Sequence, residues 1–160
     1  MTSELGSPTK STGNIDQVDV RGPRFAAWVT TAVLVITLIV SSRSLAAAAV
    51  ILGVQAVVFA IGAIAGVQRH PYGIVYRKLI RPRLKPPTEL EDPKPPTFAQ
   101  GVGLFVSVVG LVLALLGVPL ALPIAAAAAF VAAFLNSVFD YCLGCQIYLL
   151  LVRAKVIRTA

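Results

Sequence analysis

Long runs without a single charged side chain dictate the architecture of this protein. Phe25 to Ser42, Leu45 to Val67 and Phe98 to Gly117 contain no Asp, Glu, Lys or Arg, and a fourth apolar tract from Val118 to Val152 is interrupted only by Asn136, Asp140 and a cysteine motif. An α-helix of about 20 apolar residues crosses ~30 Å of hydrocarbon, so each run is long enough to span a bilayer. The expected spans are about 25–42, 45–67, 98–117 and 122–152. A β-barrel would need alternating polarity over about ten residues, whereas these runs are continuously rich in Ala, Leu and Val. With 57% hydrophobic residues against 13% charged, a soluble partition into core and surface is excluded. The expected fold class is all-α, a four-helix transmembrane bundle over residues 23–153.

The charges orient it. Every Lys and Arg except Arg43 falls in the N-terminal segment, the loop 68–97 or the residues after the fourth run. Basic residues near span ends favour the cytoplasmic side. Both termini and the middle loop are therefore expected to be cytoplasmic in a multi-pass plasma-membrane protein. The net charge of +7 follows from this bias together with attraction to anionic headgroups, at roughly 1 kcal/mol per basic residue near the surface. The expected partner is the lipid bilayer, with oligomerisation left open. Nucleic acid is not expected, since no basic helix or aromatic-lined groove accompanies the charge.

Residues 1–22 are rich in Ser, Thr, Gly and Asp without apolar periodicity, which predicts a disordered tail; 154–160 form a short basic tail. In the middle loop, Tyr72, Val75, Tyr76, Leu79 and Ile80 recur at helical spacing between Arg77, Lys78, Arg81 and Arg83, predicting a short interfacial helix over 71–84. Pro82, Pro86, Pro87, Pro93, Pro95 and Pro96 then predict an extended spacer leading to the third span. Gly62 with Gly66, Gly103 with Ser107 and Gly110 with Ala114 are small-residue pairs suited to close helix packing in lipid, and Gln55 reads as an interhelical hydrogen-bond partner.

The only two cysteines lie three apart in Asp140-Tyr141-Cys142-Leu143-Gly144-Cys145. A helix from about Ile124 to Val152 would be ~42 Å long at 1.5 Å per residue, more than a bilayer core requires, so it must tilt, kink or emerge. Counted back from Arg153, Cys145 lies ~12 Å and Cys142 ~16 Å from the cytoplasmic end. Positions i and i+3 share a helix face, which brings both sulfurs within a small adjustment of a disulfide, and a vicinal partner can lower a thiol pKa. Gly144 loosens the helix between them. Asn136 and Asp140 lie one turn apart on a neighbouring face. Asp140 is the only acid in the spans, which makes it a functional candidate, either as proton acceptor for a cysteine or as partner of Arg69 or Arg153. Tyr141 and Tyr148 read equally well as substrate contacts or as an interfacial belt. The candidate catalytic residues are Cys142, Cys145 and Asp140, with Cys145, nearer water, expected to attack first. The alternative is that the cysteines are small apolar packing residues. His70 is the only histidine, too few ligands for structural zinc, and no cofactor is required, although a quinone is an admissible acceptor. A reducing compartment disfavours a permanent disulfide and favours cycling thiols.

The segments HPYGIVYRKLIRPRL, PPTFAQGVGLF and NSVFDYCLGCQIYLL resemble a bacterial, largely actinobacterial, integral membrane family, domain of unknown function 4395, over about residues 20–155. The resemblance implies a four-span domain with an arginine-proline loop, a Phe98-Ala99-Gln100 start to the third span and the C-x-x-C on the fourth. It implies no reaction, but members are often encoded near thioredoxin-like or rhodanese-like proteins, which favours thiol-disulfide or sulfur-transfer chemistry with such a partner. The vitamin K epoxide reductase fold is a looser analogue with a C-x-x-C on its last helix, but its loop-cysteine relay has no counterpart here. The leading functional expectation is therefore a membrane thiol protein. The alternative is a non-catalytic subunit or scaffold that docks a cytoplasmic partner or anionic lipid through its basic loop. Solute transport ranks last, since Gln55, Asn136 and Asp140 supply a sparse polar path.

Overall fold

The computed structural model describes residues 17–156; most of the expected N-terminal tail and the end of the basic C-terminal tail lie outside the described residues. Four helices are long and apolar enough to cross a membrane: α1 (Arg21–Ser41), α2 (Leu45–Ala65), α4 (Lys94–Leu115) and α5 (Ala121–Phe139). They pack as a bundle, α1 on α2 and α5, α4 on α2 and α5. Short links join α1 to α2 and α4 to α5, so the start of α1, the end of α2, the start of α4 and the end of α5 meet at one end, called here the loop end.

The packing is that of helices in lipid. Val50, Val54, Ile64, Phe105 and Leu115 point outward, whereas Thr30, Thr37, Gln55, Ser107 and Ser137 are buried. A soluble bundle would reverse this distribution; in hydrocarbon, outward apolar side chains cost nothing and small or polar groups hold helices together. Leu34, Ala48, Leu52, Leu122 and Ala129 form the apolar core. A side chain on Gly110 would run into Ala125 of α5, and one on Gly103 would lie 3.0 Å from the Phe59 ring, so both expected small-residue contacts form. Gly66 serves differently: at φ +85° it ends α2, a backbone conformation that glycine adopts without penalty.

Two helix boundaries differ from expectation. The third transmembrane helix starts at Lys94, inside the stretch expected to be extended. Pro95 and Pro96 fall in its first turn, where a missing N–H has no intrahelical partner to lose, and the Asp92 carboxylate accepts the Lys94 N–H at 2.9 Å. The fourth helix stops at Phe139 instead of running on to Val152. Asp140 takes the left-handed conformation at φ +58°, one of the few residue types that tolerates it, and the Tyr141 N–H closes the end by donating to the Leu135 carbonyl at 3.2 Å. A separate helix, α6 (Leu143–Arg153), follows. Its 11 residues are too few to span a membrane alone, and it packs mainly on α4. The surplus length of the fourth apolar tract is thus resolved by a break.

The middle loop is helical but of mixed pitch. α3 (Pro71–Val75) passes into a π-helical turn, Tyr76–Ile80, and a 3-10 turn, Arg81–Arg83. Tyr76, expected at the interface, is buried beneath it: its hydroxyl donates to Asp19 at 3.2 Å and its ring meets Phe25 at 5.8 Å. Asp19 belongs to β1 (Val18–Asp19), which pairs antiparallel with β2 (Leu90–Glu91), so residues 17–22 are folded into the loop end.

Candidate functional site

The cysteine motif occupies the start of α6. Cys142, extended at φ −82° and ψ 100°, is the N-cap, and its sulfur accepts the Cys145 N–H at 3.2 Å. The two sulfurs form a disulfide with Cα atoms 5.2 Å apart, within the usual span for such bridges. A helix start leaves its first N–H groups without intrahelical partners and carries partial positive charge, so this end of α6 favours a thiolate at position 142. The break at Asp140 creates this environment; in one continuous helix neither cysteine would cap anything.

Gly144 seats the motif. A Cβ there would fall 2.5 Å from the Ala99 Cβ and 2.6 Å from its Cα, so the first turn of α6 lies directly against the α4 backbone. One turn further along α6, the Tyr148 ring meets Phe98 at 5.6 Å; Tyr148 is half-buried against α4, while Tyr141 is exposed.

Asp140 pairs with neither Arg69 nor Arg153. The break leaves it at the loop end beside the first turn of α1, where the Arg24 guanidinium lies 3.4 Å away, and the same guanidinium donates to the Ser137 carbonyl at 3.1 Å. Arg24 therefore satisfies a terminal carbonyl of α5. Asp140 is exposed, so the pair itself contributes little stability. Glu91 of β2 lies close by: burial raises its carboxyl pKa, and the negative charge of Asp140 raises it further.

Behind the motif a cavity of about 210 Å³ extends between α1, α4, α5 and α6, with Phe59 of α2 in its wall. Its walls are mostly small residues, among them Ala99, Gly103, Ala128, Ala132 and Ala133, with Cys142 and Gly144 at the loop end and Thr30, Gln100 and Asn136 as polar groups. The Gln100 side-chain oxygen is buried without a hydrogen-bond partner. Asn136 and Cys142, read from the sequence as members of one tract, thus line a single cavity. Arg24, Glu91, Gln100 and Thr30 were not singled out as site residues; they reach it from other segments, and only the Phe98-Ala99-Gln100 motif hinted at the third of them.

A second polar cluster joins the loop to the bundle. The Tyr72 hydroxyl donates to the Gln55 carbonyl oxygen at 2.9 Å, and the Gln55 amide reaches Thr30 at 3.5 Å, the interhelical role expected for Gln55. His70 meets the Tyr72 ring edge-on at 5.2 Å and is almost fully buried. Burial pushes its pKa down to about 4; the neighbouring Gln100 amide offsets this slightly, although neither ring nitrogen reaches hydrogen-bond geometry. The unfolded chain takes up this proton near pH 6.5, the folded one only near 4. Stability is therefore expected to fall as pH drops between those values, by on the order of 3 kcal/mol in all. Thermal melts in detergent between about pH 7.5 and pH 4 test this: His70→Gln should flatten the dependence, and an equally steep His70→Gln profile would locate it elsewhere.

The sequence profile of the domain of unknown function DUF4395 matches residues 18–153. The chain belongs to the DUF4395 family. No curated protein and no solved structure matches it. The DUF4395 match extends from β1 to the end of α6, so the folded loop end and the cysteine helix are parts of the family domain rather than additions to a four-helix core.

Proposed function

We propose that this DUF4395 protein is a membrane thiol-disulfide protein whose Cys142/Cys145 pair exchanges with a soluble thioredoxin-like or rhodanese-like partner on the cytoplasmic side. The observation that carries the reading is the placement of a bonded C-x-x-C at a helix start, with the Cys142 sulfur in the N-cap position. The positive-inside bias puts the loop end, with both termini, in the cytoplasm.

In the reduced protein, the Cys142 thiolate attacks one sulfur of a partner disulfide, forms a mixed disulfide and releases a partner thiolate. The Cys145 thiolate then attacks the Cys142 sulfur, closing the internal disulfide and releasing the second partner thiolate. The two thiol protons pass to the two thiolates released, and two electrons move from the pair to the partner. The reverse sequence loads the pair with electrons. Cys142 takes the role of first nucleophile because the helix start stabilises its thiolate, an argument that outweighs distance from water. Asp140 positions the motif by making the turn and holding Arg24.

Alkylation of the purified protein followed by mass measurement tests this. Two alkyl groups should be taken up after reduction and none after treatment with a mild disulfide oxidant. Cysteines that stay alkylatable under oxidant would sink the reading.

The second reading, a scaffold, is supported by the exposed Arg77, Lys78, Arg81 and Arg83 beside the exposed Leu79 on the middle loop, a surface suited to anionic lipid or an acidic partner. It gains if Cys142→Ser and Cys145→Ser variants keep the cellular phenotype.

A further inference from the structure

The cavity beside Cys142 is graded along its length. At the loop end lie Cys142 and Asn136, with Gln100 and Thr30 further along; the deepest groups, such as Val106 and Ala128, are apolar. Ala128 is eleven residues before the end of α5, ~16 Å at 1.5 Å per residue, and this cavity-lining residue is exposed, as is Ile147 of α6. The rim therefore reaches the bundle surface at a depth where hydrocarbon surrounds α5. An occupant arriving from the bilayer would place an apolar tail at Ala128 and a polar head beside the sulfur.

The chemistry of the pair narrows the occupant. A dithiol loaded with two electrons by a soluble partner needs an acceptor that takes two electrons and two protons, and a bilayer-soluble one with a polar ring and an apolar tail is a quinone. We propose that this cavity is a quinone site, in which the Cys142/Cys145 dithiol is oxidised by a membrane quinone; the inference rests on the thiol-disulfide reading above. Both S–H bonds break and one S–S bond forms. The quinone gains two electrons, and its two carbonyl oxygens take the two protons as O–H groups. The amide groups at the head end suit both forms: an –NH2 donates to a quinone carbonyl, and a side-chain carbonyl oxygen, such as that of Asn136 on the cavity wall, accepts from a quinol hydroxyl.

The full chain in lipid nanodiscs, reduced, freed of reductant and kept anaerobic, is mixed with decylubiquinone, whose ring has no open position for thiol addition. Thiol loss is followed by alkylation and mass, and quinol formation by ultraviolet absorbance. Both should proceed together, one quinol per disulfide formed. Ala132→Phe, which fills the cavity, should lower the rate of quinone oxidation relative to oxidation by a water-soluble disulfide by about tenfold, corresponding to ~1.4 kcal/mol. Gln100→Leu, which adds no ring, should shift the ratio the same way and serves if the phenylalanine variant fails to fold.

If the soluble disulfide oxidises the pair while the quinone leaves it reduced, the cavity holds something else, such as a lipid acyl chain, and the quinone inference falls while thiol exchange stands. If both variants keep the wild-type ratio, the quinone reacts elsewhere and the site is overturned. If neither oxidant closes the disulfide, both readings fall.

Discussion

Cys142→Ser is expected to eliminate covalent exchange with a soluble dithiol protein, whereas Cys145→Ser should trap it as a stable mixed disulfide. The asymmetry follows from position on α6. Cys142 is the N-cap, facing the free N–H groups of the first turn, and its sulfur accepts that of Cys145; Cys145 is itself the third residue of the helix, its side chain past the capping position. The thiolate is the nucleophile, and a helix start lowers thiol pKa below the ~8.5 of a free cysteine. In Cys145→Ser, the alkylation rate of Cys142 plotted against pH should therefore have its midpoint below that value. Serine is itself a favoured N-cap, so Cys142→Ser should fold, and its loss of exchange reports chemistry rather than collapse. A Cys142→Ser protein that still forms the mixed disulfide through Cys145 at the wild-type rate would reverse the assignment.

The bundle was legible because lipid imposes a simple rule. A run such as Leu45 to Val67 with no charge has few alternatives to a spanning helix, and α2 occupies all but its last two residues. Small residues at Gly103 and Gly110 announced close helix contacts that the structure makes. What failed to show was local chemistry at helix ends. Pro95 and Pro96 read as breakers because sequence alone does not say whether a proline falls inside a helix or in its first turn. Asp140 read as an intramembrane acid because the tract around it is apolar; its left-handed turn is a backbone decision made jointly with the Leu135 carbonyl and Arg24, residues five positions and 116 positions away. The cavity was illegible for a related reason. Its walls come from five helices, and residues such as Ala132 and Gly103 have no chemical signature until packing places them beside a sulfur. The cysteine pair was plain in the sequence, but its placement at a helix start, which decides which thiol is the better nucleophile, depended wholly on the break before it.

Gly144→Ala is expected to destabilise the protein although it replaces glycine with the best helix former. In an open helix position the substitution stabilises by roughly 0.5–1 kcal/mol. Gly101 of α4 is such a position, where a methyl group would meet nothing within 4 Å, and Gly101→Ala is the matched control with a slightly raised melting temperature. At Gly144 the methyl would meet both the Cβ and the Cα of Ala99. A flexible side chain could swing aside; a backbone Cα held in the first turns of α4 cannot, so the start of α6 must lift away, at about 1–3 kcal/mol for overpacking of this kind. The displaced element carries Cys142, so the functional effect should exceed the thermal one. With α6 lifted, the disulfide becomes more open to water and is reduced faster by a soluble dithiol, while the sulfur leaves the head of the cavity and its oxidation from that side slows. Gly144→Leu should enlarge both changes. Melting in detergent and paired reduction and oxidation rates read them separately. A Gly144→Ala protein that melts above wild type, as Gly101→Ala should, would mean that α6 is not held against Ala99, and the seat of the cysteine pair would have to be sought elsewhere.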